Sequence, residues 1–171
     1  IRTECFMTPD TSTPAAETLQ YLKRPFGELA WLINAHAANQ PDRIALDDGE
    51  ERLTWAETSA LVNRIAAQLQ AEGLQKGQAV SILGTTTIRY ALVYLAAIAA
   101  GGCAAPLTTS ATPQQLAAMM TDSGAGHLFI DHIKRLELAD RGVALPNLKH
   151  VMMDAPDDSD GASFLFDWMA A

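Results

Sequence analysis

Apolar residues recur along this chain in short bursts divided by turn residues, and their spacing alternates between helical and extended. Leu29, Leu32, Ile33 and His36 keep helical spacing in a pattern that begins at Phe26 and ends before Pro41. RIALDDGEERLTW then reads as two short extended runs around Asp48-Gly49, a dipeptide that favours a hairpin turn. Thr54 has Glu57 three residues on, the pair that caps the free N–H groups of a helix start. Leu61, Ile65 and Leu69 supply the apolar stripe of that helix, and Gly73 stops it. AVSIL, residues 79–83, is an apolar run short enough for a buried strand. A helix over Ile88 to Ala100 follows, then the stop Gly101-Gly102 and an extended piece, Cys103 to Leu107. Thr112, Pro113 and Gln115 open the next helix and Gly124 closes it. HLFI, residues 127–130, and LKHVMM, residues 148–153, read as further strands.

The order is helix, hairpin, helix, then strand–helix–strand–helix–strand, with crossovers of a dozen or more residues. Such alternation predicts an α/β fold, a mostly parallel sheet flanked by helices. The expected strands are Ala79–Leu83, Cys103–Leu107, His127–Ile130 and Lys149–Met153, with helices near 55–72, 88–100 and 113–123. Residues 1–25 read as a flexible lead-in, rich in Thr, Ser, Pro and Asp at its start. Residues 26–153 form the α/β unit, and 154–171 an acidic loop followed by an apolar tail. In that tail Phe164/Leu165 and Trp168/Met169 are four residues apart, which as a helix would make one sticky stripe. Self-association through the stripe or through an open strand edge is therefore expected.

Tyr90 to Thr121 contains no charged residue, which raises the question of a membrane span. Half of Tyr90–Leu107 is Ala or Gly, residues that favour hydrocarbon weakly, and the glycine pair breaks the run. It reads as a buried helix running into a buried strand. The net charge of −8 and the absence of any Lys/Arg run beyond two argue against a nucleic-acid surface. Two cysteines, Cys5 and Cys103, make no disulfide framework, and Cys103 is expected in the core as a small hydrophobe. With no secretory signal at the start, a cytoplasmic protein is expected. Met7 is read as the natural start, with IRTECF before it left over from cloning.

Candidate chemistry is sparse. Neither a Gly-rich phosphate loop ending in Lys-Ser/Thr nor a dinucleotide fingerprint is present. GTTTIR, Gly84 to Arg89, could hold an anion at a helix start, but its threonines read as caps. His36, His127, His132 and His150 show no metal spacing and read as solvated or structurally bonded. No serine or cysteine lies in a nucleophile-elbow pattern. Asp158, Asp160 and Gly161 sit at calcium-loop offsets, but Pro156 occupies the first ligand position. On these grounds no catalytic, cofactor-binding or metal-binding residue is assigned. An α/β binding module without catalysis stays open at this point.

The landmarks in sequence resemble the AMP-forming acid–CoA ligases and their relatives, the adenylate-forming enzymes. LTWAET, Leu53 to Thr58, is similar to that family's first core motif. AEGLQKGQAVSILGTT resembles its GLxxGDxV stretch, and LAAIAAGGCAAPLTTSATPQQLAAMMTDSGAGHLFID its second core motif with the helix and strand after it. The similarity is continuous from about Phe26 to Asp131. Gln78, Thr86, Gly102 and Thr108-Thr109 depart from the usual residues, at positions that shape turns and packing.

The resemblance implies the N-terminal subdomain of a ligase that turns a carboxylate into an acyl-adenylate and then a CoA thioester. ATP, Mg²⁺ and CoA are implied for the full-length enzyme, and none for this segment. The family's Ser/Thr/Gly-rich phosphate loop, which follows a segment like SFLFDWMAA, and its later Lys are absent from the sequence. The resemblance therefore implies an inactive scaffold whose partners are the remainder of the enzyme and, through it, a carboxylic acid. Ala104-Ala105-Pro106 favours a CoA ligase over a peptide-synthetase adenylation domain, which usually carries an aromatic residue two places before that proline.

Overall fold

The computed structural model describes residues 29–132, 148–154 and 163–170. In chain order the elements are helix α1 (Leu29–Asn39), strands β1 (Ile44–Asp47) and β2 (Arg52–Thr54), and helix α2 (Trp55–Ala71). Strand β3 (Ala79–Leu83), helix α3 (Ile88–Ala99), strand β4 (Cys103–Pro106) and helix α4 (Pro113–Ser123) follow. Strands β5 (His127–Ile130), β6 (Lys149–Met152) and β7 (Ser163–Phe164) and the short helix α5 (Leu165–Trp168) complete the set. The flexible lead-in expected over 1–25 and the calcium-like positions Asp158, Asp160 and Gly161 lie outside the described residues.

Local chemistry sets the boundaries. β1 and β2 form the expected antiparallel hairpin, with Gly49 at φ 91° in the turn. At α2 the Thr54 hydroxyl accepts from the Glu57 N–H, and the Glu57 carboxylate accepts from the Thr54 N–H at 2.8 Å. Thr112 and Gln115 repeat the exchange at α4, where Pro113 occupies the first turn and Gly124 ends the helix in the left-handed region. At α3 the Thr87 hydroxyl accepts from the Tyr90 N–H.

The main sheet has the order β4-β3-β5-β6-β7, and every pairing in it is parallel. The four expected strands are there, joined by the two-residue β7. From β3 the chain steps outward through α3 to β4, then returns past β3 through α4 to β5. Right-handed crossovers in opposite directions put α3 and α4 on opposite faces. Alternation along the strands divides the core accordingly. Val80, Ile82, Phe129 and Val151 meet α1, α2, α3 and α5 in the larger cluster. Leu83, Leu128 and Ile130 meet Leu116 and Met120 of α4 in the smaller one.

Three expectations are corrected. Cys103 is exposed, because β4 is the sheet's edge and the cysteine stands at its first position. α3 is buried along one face only: Leu92, Val93, Ala96 and Ala97 pack inward, while Tyr94 is exposed. The apolar tail is no exposed stripe, since Leu165, Trp168 and Met169 are buried and Phe164 and Phe166 half-buried. Trp168 meets the Phe129 ring edge-on at 5.3 Å, so the tail covers its own sheet. The open edge of β4 is also a poor template. Cys103 and Leu107 direct their N–H groups to Gln78 and Ile82, so alternation turns the nitrogens of Ala104 and Pro106 outward. Proline has no N–H to give.

Candidate functional site

A doubly wound sheet of this strand order binds ligands outside the carboxyl ends of the strands, where successive connections diverge. Here that place lies between β3 and β5, at Gly84-Thr85 and Asp131. It is occupied by side chains of the protein itself. The Asp131 carboxylate, buried after the last residue of β5, accepts from the Thr85 N–H at 2.8 Å and the Thr85 hydroxyl at 3.3 Å. Gly84 leaves it room: a Cβ there would stand 2.9 Å from Asp131 Oδ2. One turn on, Asp48 reaches from the β1–β2 hairpin and accepts from the Ile88 N–H at 3.0 Å. Backbone N–H groups of Glu51, then Ile88, hold the Asp48 carboxyl below its ordinary pKa. The anion foreseen as an option at GTTTIR is therefore an internal carboxylate, and Thr87 caps the helix as read.

Around this end, the Arg89 guanidinium lies 3.6 Å from Glu51 and 5.8 Å from the Phe166 ring centroid. The Asp154 carboxylate accepts from the His132 N–H at 2.7 Å. A shallow open concavity of about 560 Å³ borders the start of α4, lined by Thr108, Ser110, Ala111, Gln115, Ala118 and Met119. Its polar groups are engaged with one another or with the cap: the Thr108 and Ser110 hydroxyls are 2.9 Å apart, and Gln115 Oε1 accepts from the Thr112 N–H.

The opposite end of the strands carries a second cluster. Glu72, just past α2, accepts from Lys149 Nζ at 2.9 Å, Trp168 Nε1 at 3.1 Å and His127 Nε2 at 2.7 Å. His127 and Lys149 open β5 and β6 as register partners, and Trp168 arrives from α5. Burial pushes the Glu72 pKa up, but hydrogen bonds from Lys149, His127 and Trp168 outweigh it, and the net value is lowered. An ionised Glu72 makes His127 Nε2 the N–H nitrogen, which leaves Nδ1 buried without a partner among the described residues. The cluster ties α2, β5, β6 and α5 together.

The four histidines are dispersed. His36 stacks on Trp55 at 4.5 Å and pairs with Gln40, His127 bonds Glu72, and His150 sits half-buried within β6. Among the described residues no group of His, Cys, Asp or Glu could hold a metal ion, and no helix is long and apolar enough to cross a membrane. Asp131, Asp48 and Glu72 carry the arrangement, and sequence reasoning singled out none of them as a site residue. Asp131 had one visible signal, a carboxylate directly after the wholly apolar end of a buried strand.

Comparison with known proteins places this architecture. A CoA ligase of Humulus lupulus, named "Probable CoA ligase CCL9", is 33% identical over 129 residues, covering 75% of this chain and 24% of its own length. Malpibaldin synthetase of Mortierella alpina is 36% identical over 86 residues, covering 50% of this chain and 2% of its own. The chain thus spans about a quarter or less of these relatives. The crystal structure of the anthranilate CoA ligase AuaEII in complex with anthranoyl-AMP superposes with a TM-score of 0.75 at 18% identity, over 85% of this chain and 28% of that one. The family profile described as "AMP-binding enzyme" matches residues 33–165. From the hairpin and its capped helix to the strand that precedes α5, the chain belongs to the AMP-binding enzyme family.

Proposed function

We propose that this chain is the N-terminal scaffold region of an ATP-dependent acid–CoA ligase, which converts a carboxylate to an acyl-adenylate and then to a CoA thioester. The family match across nearly the whole described fold carries the reading, and the CoA ligase relative aligned over three quarters of the chain gives its direction. The described residues at the sheet's crevice do not suit a phosphate. The crevice where a doubly wound sheet would take a phosphate presents a carboxylate, and no metal-ligand group exists among the described residues. The chain's contribution is thus mechanical. Its capped helices and parallel sheet hold the frame on which the rest of the enzyme presents its loops. A cytoplasmic setting and CoA as acceptor belong to the same proposal.

Acid-dependent exchange of pyrophosphate into ATP tests it. The intact protein is expected to catalyse exchange with some carboxylic acid, and residues 1–171 alone to remain at the no-protein level. Absence of exchange and of acyl-CoA formation across fatty, aryl and amino acids would overturn it. The match to Malpibaldin synthetase supports a second reading, an adenylation region that loads a carrier protein. Transfer of the activated acyl group to a phosphopantetheinyl carrier domain in preference to free CoA would select it.

A further inference from the structure

The sheet's topology and its contents disagree. Strand order places a ligand crevice between the carboxyl ends of β3 and β5. Phosphates use such a place because backbone N–H groups at the adjoining helix start carry partial positive charge. Here two of those donors, the Thr85 and Ile88 amides, are engaged from within. Asp131 takes the Thr85 N–H and hydroxyl, and Asp48 takes the Ile88 N–H. The fit at Asp131 is built. Asp131 is 6% exposed, and Gly84 lacks the Cβ that would strike its carboxylate oxygen. Thr85 itself is exposed, so its amide has a protein partner where water would otherwise serve.

We propose that Asp131 is an internal anion, a plug that occupies the switch-point crevice and keeps phosphates and nucleotides out of it. The plug acts by charge and by volume. A phosphate approaching Thr85 would meet a carboxylate oxygen already seated at hydrogen-bond distance on the same N–H, and a second acidic oxygen has no room or donor left there. Asp48 extends the exclusion to the first turn of α3 and ties the hairpin to it. The exclusion itself concerns this chain alone.

Titration of the chain with inorganic phosphate and with AMP, followed by amide NMR, tests it. In the wild type the Thr85 and Ile88 amides are expected to show no saturable shift with either. Asp131→Gly removes the carboxylate, and phosphate is then expected to shift Thr85 saturably while the β3 and β5 amides keep their positions. A saturable response of wild-type Thr85 or Ile88 would overturn the proposal, as would a folded Asp131→Gly chain that ignores phosphate. If that variant does not fold, hydrogen exchange of wild-type Thr85 decides. Slow exchange, unchanged by phosphate, supports the plug, and exchange at the rate of a solvated loop amide overturns it. None of these readings depends on ligase activity, which the pyrophosphate exchange assay judges separately.

Discussion

The two ends of the parallel sheet are both closed by carboxylates, yet by different kinds of partner. At the carboxyl ends of β3 and β5, Asp131 and Asp48 bind backbone N–H groups, with one hydroxyl in support. At the amino ends of β5 and β6, Glu72 binds three side chains from three elements. Both backbone donors belong to the single segment that leads from β3 into α3, so the first closure brings β5 and the hairpin onto one loop. The second exists only when α2, β5, β6 and α5 have all come together. The contrast separates a carboxylate that fills a place from one that records assembly.

The largest effect is expected at the assembling end. Glu72→Ala leaves the Trp168 and His127 N–H groups without their acceptor in a poorly solvated setting. It is expected to cost about 3 kcal/mol, read as a fall in urea midpoint at unchanged slope. A loss below about 1 kcal/mol would break the comparison, because Glu72 would then rank with a surface ion pair.

The same residue gives a pH test. Its folded pKa lies below the ordinary 4.5, so the unfolded chain takes up a proton first as pH falls. The stability contributed by ionisation is fully present above the unfolded value and lost as pH drops through the lowered folded value. Glu72→Gln cannot ionise. The gap in Tm between wild type and Glu72→Gln is expected to be widest near neutral pH and to shrink steadily through the acid range. A gap constant with pH would mean that shape, and not charge, supports the cluster.

At the other end the sharper probe is Gly84→Ala. The new Cβ would meet Met153 Cε and Asp131 Oδ2, each at 2.9 Å. The methionine tip can move, but the carboxylate oxygen is held by Thr85. A loss of about 1–3 kcal/mol is expected, together with faster hydrogen exchange at the Thr85 amide. Stability lost with Thr85 exchange unchanged would show that Met153, and not the plug, absorbs the strain.

Local features were legible in the sequence and long-range ones were not. Thr54/Glu57 and Thr112/Gln115 are three residues apart, so each capping box is visible within a single turn. The Gly-bounded apolar runs likewise gave strands at Ala79–Leu83 and His127–Ile130 with the observed limits. The partners that close the sheet are separated by 46 residues at Thr85–Asp131, 55 at His127–Glu72 and 96 at Trp168–Glu72. No pattern within one element announces such pairs. Cys103 shows the same limit, since an apolar run does not reveal that its strand will lie at the edge. The tail shows it too: its stripe is real, but what covers it depends on Phe129 and Glu72.

The smallest effect is expected midway between the two ends. Ser81 lies in the middle of β3, fully buried, in register with Ala105 on one side and Leu128 on the other. Its hydroxyl has no hydrogen-bond partner among the described residues. A buried hydroxyl that makes no bond loses its hydration without compensation, whereas a methyl in its place loses nothing. Ser81→Ala removes one small atom next to Leu128, so any cavity is less than a methyl group in size and little packing is forfeited. The two terms nearly cancel, and stability is expected to change by less than about 0.5 kcal/mol, toward gain if toward either. The comparison then takes its strictest form, with polar groups on these strands holding the fold at the ends, where carboxylates meet donors, and contributing nothing between them. A loss above about 1 kcal/mol for Ser81→Ala in urea unfolding would reveal a bound water or a hidden acceptor in the strand's centre, and the division between ends and middle would fail.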